Sequence, residues 1–391
     1  MTLSCLAEDV RPALPRSTLA ASRWYSVAVS RAGLQVKLLS STYERSQGML
    51  IFRWLLDQTG NLNPPLLSDQ CCIRFTPPPA AITESEIADM FVGILGPHLA
   101  SKAEALDLSI PFAMQPDQAA FWTRYIGALV PSCRIAISAS PISAQSQVRA
   151  APPRTGSLGL YFGGGVESLN LLSLLRHQSP YLLSVDGPHW MNSDYGKSSI
   201  KLELQHKLAR EYNVSFLRVW TDARLLFNDG DLHVNRYVTG TLMYYTLLPL
   251  LRLHSVSVCI FGAEMEYAQV EDAYDQSIHP RHIHRVVRPP NPPILPALTA
   301  IPKVRLLSDL YERAPEFLAY LYSCFNNTSR RWCGDCGKCR RISRFCEVIG
   351  IPKHLIGMQE DIPAGPEDGE LSRMYRENCE KFSRENASTR A

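Results

Sequence analysis

Apolar positions follow two rhythms along this chain. From Leu158 the pattern is regular: Leu158–Phe162 is a short apolar run entering Gly163-Gly164-Gly165, and Val166 to Arg176 carries Leu169, Leu172 and Leu175 at helical spacing. Tyr181 to Val185 predicts a second strand ending at Asp186-Gly187, followed by an amphipathic helix over Ser198–Tyr212 and a third strand over Ser215–Trp220. A mostly apolar helix is predicted from Tyr237 to Leu253, then a fourth strand over Val256–Phe261 closing on Gly262. Strands alternating with helices imply βαβ units and a parallel sheet covered on both faces. Ligands of such sheets bind at the carboxyl ends of the strands, so Gly163–Ser168, Asp186 and Gly262–Tyr267 are expected on one rim.

Residues 1–135 are less regular. Tyr25 to Leu39 reads as β-like, broken at Ala32-Gly33, whereas Met49–Leu56 and Glu84–Leu99 read as helical, with Pro77-Pro78-Pro79 as a break between them. From Ser138 to Gly156 the composition shifts to Ala, Ser, Pro and Gln, the mark of a linker or long loop. The segment Gln359–Ala391 is charged and polar, and predicts a short helix at best on a fraying tail.

Length and charge narrow the class. With 391 residues, 46% hydrophobic and 20% charged, the chain reads as a globular protein of two domains. A net charge of +3 is no basic footprint, so nucleic acid is not an expected partner. The N-terminus turns acidic at Glu8-Asp9 where a signal peptide needs a basic start. The longest apolar stretch, Gly240 to Leu251, falls short of the roughly 20 residues that a bilayer span requires. A cytoplasmic protein without a membrane partner is expected, and a homodimer is compatible with the reading.

Two motifs carry chemistry. Three glycines between a buried strand and a helix let the backbone approach an anion closely, and the helix N-terminus offers N–H groups and the positive end of its dipole to a phosphate. A strand–helix turn without any ligand is the plain alternative. No Gly-Lys-Ser/Thr follows, so this is not a Walker A loop. The second motif is Cys324, Cys333, Cys336 and Cys339, four of the chain's 11 cysteines, spaced C-x8-C-x2-C-x2-C. Four soft sulfurs suit a closed tetrahedral zinc site, with an iron–sulfur cluster as the other option. Neighbouring Cys346 is expected in the core.

The glycine turn resembles the pyrophosphatase (PP) loop, Ser-Gly-Gly-x-Asp-Ser, of the adenine nucleotide α-hydrolase superfamily. Gly163 stands for the Ser, Gly164 and Gly165 match, Glu167 stands for the Asp, and Ser168 matches. The cysteine spacing, with the strings "SCFNN" and "CGDCGKCRRISRF", is similar to that of 7-cyano-7-deazaguanine synthases, the QueC family. Pro292 to Val304, with Lys303, resembles the stretch whose lysine precedes a helix in that family, and Gly262-Ala263-Glu264 stands where the family has Gly-Ala-Asn. The likeness spans about residues 157–350. No Tyr-Pro-Asp-Cys-Arg follows Glu264, and the long N-terminal region resembles instead the QueC-like branch of bacterial anti-phage operons, the Qat system.

The resemblance implies a PP-loop (HUP-like) α/β fold, a parallel sheet with helices on both faces, a zinc-stapled C-terminal subdomain and a separate N-terminal α/β-type domain. The implied division is an accessory domain over 1–135, a linker over 136–156, the ATP-binding domain over 157–310, a zinc-binding helical subdomain over 311–358 and a tail over 359–391. The implied activity is an ATP-dependent ligase or synthase. It adenylates a carboxylate such as a 7-deazaguanine acid, releases pyrophosphate and passes the acyl group to an amine, which in the defence branch belongs to a partner protein. ATP, Mg²⁺ and Zn²⁺ are the implied cofactors. Gly163, Gly164, Gly165, Glu167, Ser168 and Asp186 would hold the nucleotide, and Glu167, Ser168 and Lys303 would serve catalysis. Glu264, Glu266 and Arg281 would meet substrate, and Cys324, Cys333, Cys336 and Cys339 the zinc. Plainer readings stay open: Asp186 as a turn cap, Lys303 as a surface lysine opening a helix, Glu264 and Glu266 as a solvated loop pair. His279, His282 and His284 form a weaker second metal candidate. A MurL-type ATP-dependent epimerase, a tRNA-thiolating PP-loop enzyme and a degenerate nucleotide-binding scaffold are the rival functions.

Overall fold

The computed structural model describes residues 33–58, 68–141, 156–186, 199–226, 240–263, 283–324, 331–362 and 370–390. Strand β1 (Gly33–Glu44) buries Leu34, Val36 and Leu38 and exposes Gln35 and Lys37, the period-two signature of a half-buried strand. β2 (Met49–Gln58) pairs with it antiparallel. The helical reading of Met49–Leu56 is thus corrected: Leu50, Phe52 and Trp54 are buried while Arg53 and Leu55 are exposed. A short apolar run fits either period, and the tight turn at Arg45–Gly48 decides for a hairpin.

β3 (Gln70–Thr76) completes the meander. After the proline break comes α1 (Glu84–Ala100), whose start is fixed by a capping box in which Thr83 and Glu86 satisfy each other's backbone N–H groups. β4 (Ala105–Met114), α2 (Pro116–Leu129) and β5 (Arg134–Pro141) follow. The expected linker from 136 is therefore strand as far as Pro141, and 142–155 lie outside the described residues.

The second half runs as predicted to within a residue or two through β6 (Ser157–Tyr161), α3 (Val166–Leu175), β7 (Tyr181–Asp186), α4 (Ser199–Tyr212) and β8 (Phe216–Thr221). The apolar helix before the next strand is broken. Residues 240–245 are helical, a turn intervenes, and α5 (Leu248–Leu253) restarts with Pro249, which has no N–H to give the Tyr245 carbonyl. β9 (Val256–Gly262) follows, and then β10 (Ile294–Ala297), a proline-containing strand at the sheet edge where a missing donor is tolerated.

The ten strands among the described residues form one sheet, in the order β10-β9-β6-β7-β8-β3-β2-β1-β4-β5. Pairing is parallel except along β1–β2–β3–β8. The join is β3 against β8, with Ile73 opposite Thr221 and Thr76 opposite Arg218. The separate N-terminal domain expected from sequence is corrected accordingly. Its strands extend the same sheet, and Phe52, Phe91 and Leu108 share one apolar core with Leu183, Val219 and Cys259. A second core covers the opposite face of the later half. Leu160, Leu169 and Leu182 pack there with Leu307 of α6 (Lys303–Arg313), Phe345 of α7 (Gly337–Ile349), and Tyr375, Cys379 and Phe382 of α8 (Glu370–Arg390). The fraying tail is thus also corrected, because a polar helix with an i, i+4, i+7 stripe is held by what that stripe buries. No described helix is long and apolar enough to cross a membrane.

Candidate anion site and cysteine centre

The chain leaves β6 for β7 on one side and later returns to β9 on the other, so the strand order reverses at β6. The crevice outside the carboxyl ends of β6 and β9 is where open α/β sheets bind ligands. The glycine turn lies there. Gly164 has φ +81, a conformation that L side chains avoid, and its carbonyl accepts the Tyr322 N–H at 2.8 Å. Gly163 borders open space, since an added Cβ would meet nothing within 4 Å. Gly165 caps α3 with extended backbone, which leaves the first N–H groups of that helix at the crevice.

Glu167 sits in the first turn of α3 and receives the Lys303 ammonium at 2.8 Å. Lys303, the first residue of α6, is 8% exposed. Burial pushes the Glu167 carboxyl upward, but the charge and hydrogen bond of Lys303 outweigh it, with help from its own N–H and from Lys338, and hold the group below the usual range. Gly262, closing β9, lies against Glu167: a Cβ there would come within 2.7 Å of the Glu167 Cβ. The structure therefore brings Glu167 and the Gly262 strand end together, two of the places expected on one rim, and adds Lys303 beside them. Ser168 is present too, but its hydroxyl donates to the Gly165 carbonyl at 3.0 Å and so closes the turn of its own helix.

Asp186 has a different setting. At the end of β7 and 1% exposed, it is bonded by Lys201 at 2.7 Å and Arg218 at 2.6 Å. Burial raises its pKa, and the two cations more than reverse that, leaving the carboxyl below its ordinary value. Both oxygens are engaged in a charge cluster with the next helix and the next strand. Glu264, Glu266, Arg281, His279 and His282 lie outside the described residues.

The four cysteines meet. Their sulfurs lie within 4.8 Å of one another, with Cys336–Cys339 at 3.4 Å, Cys333–Cys339 at 3.8 Å and Cys324–Cys336 at 4.0 Å. A tetrahedral ion with Zn–S bonds of about 2.3 Å spaces its sulfurs about 3.8 Å apart, so the set could hold zinc. It is the only such group of metal-ligating side chains among the described residues. The Cys336 N–H points at the Cys333 sulfur at 3.4 Å, and Cys336 caps α7, whose first turn carries Cys339. Trp332 and Arg331 brace the knuckle by bonding the carbonyls of Ile356 and Leu321. Cys346 is fully buried, as expected.

Sequence reading missed Tyr322, whose N–H ties the segment before Cys324 to the Gly164 carbonyl, and Lys338, whose charge helps to hold Glu167 low. Their only signal was nearness to Cys324 and Cys339. Taken together, the crevice offers a helix N-terminus, a buried lysine and a carboxylate, a set suited to binding a phosphate and neutralising a leaving anion. Among known proteins, no family model, curated protein or solved structure matches this chain.

Proposed function

We propose that this chain is an ATP-dependent ligase or synthase that adenylates a carboxylate at the Gly163–Ser168 turn. The observation that carries the reading is Lys303 against Glu167 at the N-terminus of α3, beside the open space at Gly163. A carboxylate oxygen attacks the α-phosphorus of ATP, the bond from that phosphorus to the bridging oxygen breaks, and pyrophosphate leaves with the electron pair. The α3 N–H groups and Lys303 favour the departing charge. A neutral amine nitrogen then attacks the acyl carbon, AMP departs with the bonding electrons, and the nitrogen gives up one proton to solvent as the amide forms. By the QueC resemblance the acid is a 7-deazaguanine carboxylate and the amine belongs to ammonia or a partner protein. Among the described residues Glu167 is the group that would hold Mg²⁺, which supplies further neutralisation of the phosphates when bound. Zinc on Cys324, Cys333, Cys336 and Cys339 would be structural, since four thiolates leave no open position.

A second reading is favoured by one observation. Glu167 and Ser168 are both engaged within the protein, which suits a nucleotide-binding scaffold that no longer turns over. Incubation with ATP, Mg²⁺, 7-deazaguanine carboxylic acid and an ammonium salt as the amine source separates the two. AMP and pyrophosphate in equal amounts, lost by a hundredfold or more in Lys303→Met, are expected of the enzyme. Measurable ATP binding with intact ATP after long incubation supports the scaffold and overturns the ligase.

A further inference from the structure

The C-terminal helix α8 carries a residue into the neighbourhood of Lys303 that the resemblance does not place there. Tyr375 is 3% exposed, and the Arg341 guanidinium carbon lies 3.8 Å from its ring centroid. The Lys303 ammonium lies 5.9 Å from the same centroid while it bonds Glu167 at 2.8 Å. One ring on α8 thus meets a cation from the start of α6 and a cation from the knuckle helix α7. The Phe345 ring, 5.9 Å away, backs it from the core.

A ring face attracts a cation through its quadrupole and takes up none of its N–H donors. Such a contact fixes where a cation sits without using the hydrogen bonds that an anion would accept. The Tyr375 hydroxyl makes no hydrogen bond among the described residues, so the ring is the part of this side chain in use. A diphosphate spreads its charge over two phosphorus centres and is best met by two cations held at a fixed separation, one of them able to form a planar fork.

We propose that Tyr375 is a positioning residue that holds Lys303 and Arg341 as the cation pair receiving the β- and γ-phosphates of ATP. This rests on the nucleotide-binding reading above. A second aromatic contact between the same helices, Arg305 over Phe382 at 6.0 Å, serves as an internal control, because it fastens α8 to α6 without touching Lys303.

The test is calorimetric titration of the full chain with inorganic pyrophosphate, alongside thermal melting. Arg341→Met and Tyr375→Leu should each weaken binding about tenfold or more, the loss of a charge-assisted hydrogen bond. Tyr375→Phe keeps the ring and should bind as the wild type does. Arg305→Met should lower the melting temperature and leave pyrophosphate affinity unchanged. If the wild type binds pyrophosphate and Arg341→Met binds it equally well, the positioning proposal is overturned and the nucleotide site stands. Equal weakening by Arg305→Met also overturns it, since the effect would then be general docking of α8. A wild type that binds neither pyrophosphate nor ATP overturns both readings. Should Tyr375→Leu fail to fold, Arg341→Met against Arg305→Met decides.

Discussion

The two halves of the sheet share one strand order and differ in what they do with it. Counted from the β3–β8 join, each half runs third, second, first, fourth, fifth strand, so each has a reversal beside its first strand. In the later half that strand, β6, opens through glycines into a helix. In the earlier half β1 folds back into a hairpin, and its glycine is packed shut. A Cβ on Gly48 would come within 2.6 Å of the Phe75 carbonyl, whereas one on Gly163 would meet nothing. Strand order alone therefore makes no site. The connection decides: after β6 it aims a helix N-terminus at the crevice, and after β1 it turns back into a hairpin whose Gly48 packs against the Phe75 carbonyl.

The largest expected effect falls on the later half alone. Cys336→Ser should cost on the order of 4 kcal/mol or more and release one zinc per chain, read by metal analysis and urea unfolding. Amide exchange should show β1–β5 protected for longer than α6–α8. Purified protein containing iron, or no metal, would contradict the zinc assignment.

Next is the buried pair that fastens α1 of the earlier half to the loop preceding β10. Asp89 receives Arg288 at 2.9 Å and the Trp122 indole N–H at 2.7 Å. Asp89→Ala leaves the guanidinium buried without that partner and should cost about 3 kcal/mol in urea unfolding, with pyrophosphate affinity unmoved. A loss of binding instead would mean that the halves do not divide stability from chemistry.

The two glycines differ in the space around them and in backbone conformation. Gly48→Ala meets both a φ of +62 and the 2.6 Å contact, and should cost about 2 kcal/mol. Gly163→Ala should change stability by less than about 0.5 kcal/mol while weakening ATP binding, because the methyl group enters the open side of the turn.

The smallest effect is the acid limb. Asp186 and Glu167 have pKa values held below normal by their cations, so the unfolded chain binds protons first. Their stabilisation is present above about pH 4 and is lost as pH falls through the depressed values. Asp89 has the opposite sign, since burial outweighs Arg288 and lifts its pKa: its cost grows as pH rises and is relieved by acid. Asp186→Asn should therefore flatten the decline of stability between about pH 5 and pH 3, and Asp89→Asn should steepen it.

What could be read from sequence was local. The alternation from β6 to β9, the glycine turn and the cysteine knuckle all lie within short windows whose chemistry is self-contained. The β3–β8 pairing joins Cys72 to Asp222 across 150 positions and leaves no local trace. Asp186 looked open because its partners Lys201 and Arg218 come from the next helix and the next strand. Helix α8 looked like a tail because three buried side chains were outvoted by the charged residues around them. The Tyr375 contact was hidden for the same reason.

The join has a consequence for synthesis. At roughly 5–20 residues per second, the 150 positions between Cys72 and Asp222 take about 8–30 s to emerge from a ribosome. For that interval β3 has β2 on one side and an open row of N–H and C=O groups on the other. Gln70 and Arg74 lie on that strand, and polar and charged residues of this kind discourage a neighbouring chain from taking the place of β8. The nascent protein thus waits on its own second half, and a pause in translation after β5 would prolong its exposure to aggregation.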